Sequence, residues 1–224
     1  MFVGHFAPAF VASALGPRAP RLATTFIAAQ LVDWAFFALA ILGVEKVRVE
    51  PGATVMVPLD LYFYPYTHSL AGAGLWALGF AALILIFRKN ALAALLAGLV
   101  VVSHWVLDFL VHRPDLSLMG HEPHYGLGLW NYPAIAMPLE IGLLLGGLYF
   151  YLRRTRGPAG PPIVLALALL IFQAINWFAP HPAEANLFLY VQALFAFGIL
   201  TLLAAWVGEN RQFVRRGGLA APSA

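Results

Sequence analysis

The chain has 224 residues, of which 62% are hydrophobic and only 10% charged, and its mean hydropathy is +0.82. Soluble domains carry roughly 45–50% apolar and ~25% charged residues, so an ordinary water-soluble fold is excluded, and a disordered chain with it. The net charge of +3 sits in short basic segments between apolar runs, which speaks against a nucleic-acid partner, and the absence of cysteine excludes disulfides and thiolate metal sites.

A helix needs ~20 mostly apolar residues to cross the hydrocarbon core of a bilayer. Residues 2–15 are apolar but short; they contain Pro8 and end at Gly16-Pro17-Arg18-Ala19-Pro20. That pattern predicts a half-spanning or re-entrant N-terminal helix, and the missing basic n-region argues against a signal peptide. Six spanning helices follow, over residues 22–44, 67–87, 91–111, 132–152, 163–179 and 186–207. The expected fold class is therefore an all-α polytopic membrane bundle, one domain over residues 1–207, with a basic tail over 208–224.

The connections carry their own signals. Residues 45–66 place Val47, Val49, Val55 and Val57 around Pro51-Gly52, the pattern of a small hairpin or cap. Residues 112–131 form a second long loop containing His121-Glu122-Pro123-His124, which lacks the spacing of a zinc-protease helix, and Gly126-Leu127-Gly128, which lacks the Lys and Ser of a phosphate loop. His181-Pro182 marks the turn before the last helix. If six helices alternate, Arg18, Arg21, Arg88, Lys89, Arg153, Arg154, Arg156, Arg211, Arg215 and Arg216 share one side, ten of the thirteen basic residues. The positive-inside rule assigns that side, and the C-terminal tail, to the cytoplasm.

The informative residues are the ionisable ones within the apolar runs. An Asp at a helix centre costs at least ~2.5–3.5 kcal/mol on insertion scales, so such residues mark a partner or a function. Asp33 lies halfway along the first span, His68 opens the second, His104 and Asp108 lie in the third and Glu140 in the fourth. With ~1.5 Å of rise per residue, all fall between mid-membrane and the outer face, and a re-entrant N-terminus brings His5 to the same depth. His104, Asp108 and His112 are four apart and stack on one helix face. Imidazole and carboxylate without thiolate suit Zn²⁺, Mn²⁺ or Fe²⁺, and such an ion makes hydroxide available at neutral pH, with Glu140 as a further ligand or general base. The plainer reading is a charge-assisted His104–Asp108 pair that holds helices together, with His68 beside a Thr67 cap and Asp33 bonded to Gln30.

These motifs resemble the LexA-regulated family of inner-membrane, metal-dependent hydrolases. The resemblance rests on Gly4-His5, Gln30-Leu31-Val32-Asp33, Thr67-His68-Ser69-Leu70 and Ser103-His104-Trp105-Val106-Leu107-Asp108, and covers roughly residues 1–152. It implies a bacterial inner-membrane protein with a metal site at His5, Asp33, His68, His104 and Asp108 and a hydrolase activity. The family often has a second Asp two residues from the first, where this chain has Leu31 and Ala35, and His-Arg before Thr-His, where it has Phe63-Tyr64. Asp60 is the residue that stands in for those losses. The expected function is hydrolysis of a lipid or lipid-linked ester or phosphoester beneath the 112–131 loop, by a divalent ion, zinc first. The alternatives are an ion- or proton-coupled transporter using the same groups and a structural membrane protein whose polar cluster specifies packing.

Overall fold

The computed structural model describes residues 1–180 and 182–214. His181, and the expected tail from Arg215 and Arg216 to residue 224, lie outside them. Among the described residues, a 3-10 turn at Val3–His5 leads into eight helices. They are α1 (Phe6–Ser13), α2 (Leu22–Ala29), α3 (Leu31–Ile41), α4 (Leu70–Arg88), α5 (Ala91–Val111), α6 (Pro133–Arg154), α7 (Gly160–Phe178) and α8 (Leu187–Glu209). The last five are long and apolar enough to cross a membrane, and α2 with α3 forms a sixth candidate as a bent pair. The fold is thus an all-α helical bundle.

The expected straight helix over residues 22–44 is broken. At Gln30 the axes of α2 and α3 turn by 52°, and Gln30 leaves helical geometry with φ −110° and ψ 10°. Periodicity alone cannot show this, because the break is held by a tertiary contact: the buried Gln30 amide donates to the Phe2 carbonyl at 3.3 Å. The break puts Asp33 in the first turn of α3.

α1 is a short helix packed inside the bundle against α2, α5 and α6. Phe6 and Phe10 meet Phe26 of α2 at ring distances of 4.4 and 5.1 Å. On α6, a side chain at Gly147 would lie 2.8 Å from the backbone of Ala7, so only glycine allows that approach. α4 and α5 form an antiparallel pair turned at Lys89, whose φ is +48°. Ser69 caps α4 by accepting from the Gly72 amide, and Asn90 caps α5 by accepting from the Ala93 amide. The two helices close up over small residues, where Gly98 faces Ala77 and Ala81. Pro138 is accommodated within α6, which runs on through it. The outward faces carry bare Leu78, Ile86, Phe87 and Leu202, as expected of helices whose solvent is hydrocarbon.

The two ends of the bundle differ. At one end, strands β1 (Lys46–Val49) and β2 (Leu59–Phe63) form an antiparallel hairpin. Val47 and Val49 lie in β1 as the valine pattern suggests, whereas Val55 and Val57 fall in the connection and the second strand starts at Leu59. Next to it, β3 (Leu116–Ser117) pairs with β4 (His124–Tyr125). A Ser69–Ser117 bridge and the Met56 amide bonded to the Trp130 carbonyl at 3.1 Å join these loops into one cap. At the other end β5 (Thr155–Arg156) pairs with β6 (Gln212–Phe213). The basic connections gather there: Asn90 donates to the Arg18 carbonyl, Arg154 to the Ala14 carbonyl, and Arg211 to the Thr155 carbonyl.

Candidate metal centre

Helix α5 supplies the centre of the site. His104 and Asp108, one turn apart, are both buried, and the His104 Nε2 lies 3.1 Å from Asp108 Oδ2. His112 follows one turn later as the cap residue of the helix, with Nε2 3.9 Å from Asp108 Oδ1. Three other elements converge on this face. The break at Gln30 brings Asp33 Oδ1 to 3.6 Å from His104 Nε2 and 3.4 Å from His68 Nε2. The turn before α4 brings His68 Nε2 to 3.8 Å from Asp108 Oδ2. The 3-10 turn brings His5 Nε2 to 3.1 Å from Asp108 Oδ1 and stacks its ring on His104 at 3.8 Å. The Met1 amine also donates to Asp108 Oδ1, at 2.6 Å.

Three of the imidazoles are oriented by an oxygen behind the ring. His104 Nδ1 faces the Ala29 carbonyl at 2.8 Å, the last carbonyl of α2 before the break. A carbonyl only accepts, so Nδ1 donates and Nε2 presents its lone pair in the neutral ring. That buried Nε2 has no hydrogen-bond partner among the described residues. His68 Nδ1 lies 2.8 Å from Thr67 Oγ1, which itself donates to Glu45 Oε2 at 2.6 Å. Glu45, wholly buried, also accepts from the Tyr66 and Thr67 amides, at 2.8 and 3.0 Å, and so holds the turn that carries His68. Trp105, next to His104, donates to the His68 carbonyl at 3.0 Å. His112 Nδ1 donates to Asp115 Oδ1 at 3.0 Å, and the ring packs on Trp130 at 4.3 Å.

Two overlapping sets, His5–His104–Asp108 and Asp33–His68–His104, have ligand atoms close enough to meet one ion. Ligands bound at ~2.0–2.2 Å lie at most ~4.4 Å apart, and the pairs above, at 3.1 to 3.8 Å, fall inside that limit. An unpartnered imidazole nitrogen facing two carboxylates, with the opposite ring nitrogen fixed by an acceptor, is the donor arrangement of a His/carboxylate metal site. These buried groups can hold a metal ion.

The remaining residues named from the sequence fall elsewhere. Glu140 of α6 lines the neighbouring cavity, but its oxygens are engaged. Oε1 accepts from the Phe2 and Gly4 amides at 2.5 and 3.3 Å, and Oε2 accepts from Gln173 at 3.2 Å. Gln173 also accepts from the Val3 amide, so α6 and α7 together clamp the turn that presents His5. Asp60 stays in the β1–β2 hairpin, where Arg113 takes Oδ1 and Arg48 takes Oδ2, the latter at 2.7 Å. Sequence reasoning passed over Gln173, uncharged within an apolar run, and Glu45 and Asp115, which read as loop carboxylates.

A cavity of about 310 Å³ opens beside the centre. Asp33, His68, Asp108 and His112 form its polar end, and Phe36 and Phe37 of α3, Phe172 and Ile175 of α7, and Leu189 and Phe197 of α8 form its apolar walls. Val57, Leu59 and Leu61 of the hairpin roof it, and exposed Ile175 and Gln192 stand at its rim.

No protein-family model matches this chain, and no curated protein or solved structure is significantly similar to it. The class defined by fold and site is a membrane-type helical bundle with a buried His/Asp cluster able to bind metal.

Proposed function

We propose that the chain is a membrane-embedded, divalent-metal-dependent hydrolase of a lipid or lipid-linked ester or phosphoester, as its resemblance to the inner-membrane hydrolase family implies. The observation that carries this reading is the junction of a fixed-tautomer His/Asp centre with a cavity whose far walls are aromatic and aliphatic. Asp33, His68, His104 and Asp108 would hold the ion, with His5 as a further ligand on the Asp108 Oδ1 side. Zinc is the first expectation, manganese or iron the next. An ion held there supplies Lewis acidity and a nucleophile competent at neutral pH. The apolar walls bind the hydrocarbon of a substrate and exclude bulk water, so the scissile group is presented to the polar end. His112, held by Asp115 and facing the cavity, is the group placed to take a proton or return one. Glu140, although it lines the same cavity, acts chiefly by positioning the turn at His5, and Asp60 by tying the hairpin to Arg113.

The basic end is assigned to the cytoplasm of a bacterial inner membrane and the site to the opposite leaflet. Metal analysis of purified protein tests the core of the proposal. About one equivalent of Zn, Mn or Fe, lost in His104→Ala, supports it, and a metal-free protein with His104→Ala unchanged overturns it. The break beside Asp33 favours one other reading, an ion-coupled transporter with a discontinuous helix at its site. Metal- or proton-dependent flux in liposomes, without turnover of lipid esters or phosphoesters, would decide for that reading.

A further inference from the structure

A second, smaller pocket of about 60 Å³ also borders His68. It sits between the two hairpins of the cap and is lined by His68, Tyr64, Asp115, Ser117 and His124. His68 is the one site residue that borders both spaces. Tyr64 is only 8% exposed, yet its hydroxyl has no hydrogen-bond partner among the described residues. Ser117 accepts from the Gly120 amide, which leaves its own proton to donate. His124, at the rim, is exposed. A buried phenol without a protein partner, in a polar space, indicates an ordered water. Each water needs roughly 10–15 Å³ for its centre and about two to four polar partners, so the pocket has room for a short chain of them.

The apolar cavity poses a problem that this pocket solves. Filled with hydrocarbon and walled by Phe37, Phe172 and Phe197, it is a poor path for water. Hydrolysis nevertheless takes up one water per bond cleaved: its oxygen joins the acyl or phosphoryl group, and a proton goes to the leaving oxygen. We propose that the pocket between the hairpins is a water entrance to the His/Asp centre, separate from the substrate cavity, with Tyr64 and Ser117 as its hydrogen-bonding lining and the His68 ring as its inner wall. This rests on the metal-centre reading above, and it assigns the cap a function beyond covering the site.

The test uses the full-length protein loaded with Mn²⁺ in lipid nanodiscs, and reads exchange of water with the ion through the longitudinal relaxation rate of bulk water protons. Ser117→Val narrows the pocket, and His124→Trp obstructs its rim from an exposed position that leaves the fold intact. Both are expected to lower the relaxation enhancement several-fold at unchanged Mn²⁺ content, whereas Ala193→Phe, which fills the apolar cavity, leaves it near the wild-type value. Loss of the enhancement in Ala193→Phe, with His124→Trp unaffected, overturns the proposal and routes water through the substrate cavity. A high-resolution map that shows the pocket dry overturns it independently of any metal. Failure of the wild-type protein to bind Mn²⁺, Zn²⁺ or Fe²⁺ removes the metal centre itself, and the water entrance with it.

Discussion

At the scale of single residues, the site works by what stands behind each imidazole. Thr67 accepts from His68 Nδ1 only while its own proton is spent on Glu45. Thr67→Val breaks that chain, and its loss is expected to weaken metal binding by ~10–100-fold, the usual effect of removing an outer-shell partner. Thr67→Ser should retain near-normal affinity, which isothermal titration of the metal-stripped protein would show. Because a ligating imidazole must be unprotonated, affinity should fall as pH is lowered, and binding should release protons. Titration in buffers of different ionisation enthalpy measures that release. Asp115, in the cap, adds a separate pH signature. Burial by itself would push its carboxyl up, but the His112 hydrogen bond and charge, with Arg113, hold it below the ordinary range. A depressed carboxyl contributes stability that is complete above its unfolded value of ~3.9 and is lost as pH falls through the folded value. The stability gap between wild type and Asp115→Asn should therefore be full at pH 6 and shrink below pH ~4, read as the difference in Tm.

At the scale of elements, the site depends on two local departures from regular helix. The break between α2 and α3 exposes the Ala29 carbonyl that orients His104 and places Asp33 three residues later. The 3-10 turn before α1 carries His5, and its amides end on Glu140 and Gln173. Both devices rely on close helix contact. At Gly147, where a Cβ would meet the Ala7 backbone at 2.8 Å, Gly147→Leu should force α1 off α6. Over-packing of this kind costs about 1–3 kcal/mol or more, visible as a lower Tm in detergent and as weakened metal retention through His5. Asp60 offers the contrasting case. Asp60→Asn weakens the hydrogen bonds from Arg113 and Arg48, each worth about 1.5–3 kcal/mol when charged. The variant should loosen the hairpin toward protease while keeping its metal.

At the scale of the whole molecule, charge is segregated by end. The described basic connections from Arg18 to Arg211 meet one another, and the cap with its hairpins lies at the far end of the same helices. The absence of cysteine makes this directly testable, since a single introduced thiol has no background. Cysteines at Glu50 in the cap and at Arg156 in the basic end are both exposed sites. They should react with an impermeant maleimide from opposite faces of sealed vesicles, with Glu50→Cys labelled from outside intact spheroplasts. Labelling of both from the same face would contradict a spanning bundle.

The amino-acid sequence determined the solvent, five of the six expected spans as long helices and the face on which to look. Apolar runs of span length report the bilayer without reference to anything else in the chain, and the spacing of His104, Asp108 and His112 follows from helical periodicity alone. The first strand of the hairpin over residues 45–66 was legible in alternation before a Pro-Gly turn, but the second, Leu59–Phe63, was not. What only the tertiary structure decided is which polar groups meet. Glu45 and Asp115 read as loop carboxylates but orient His68 and His112, and Glu140, marked by its depth, has Oε1 engaged by the backbone of a turn 136 residues away and Oε2 by Gln173. Gln173 carried no charge to draw notice, and the bend at Gln30 rests on a contact with Phe2 that no local pattern encodes. A charge within an apolar helix announces that it needs a partner, because the cost of burying it is local. Its partner, and so its task, is chosen by elements packed against it from distant parts of the chain.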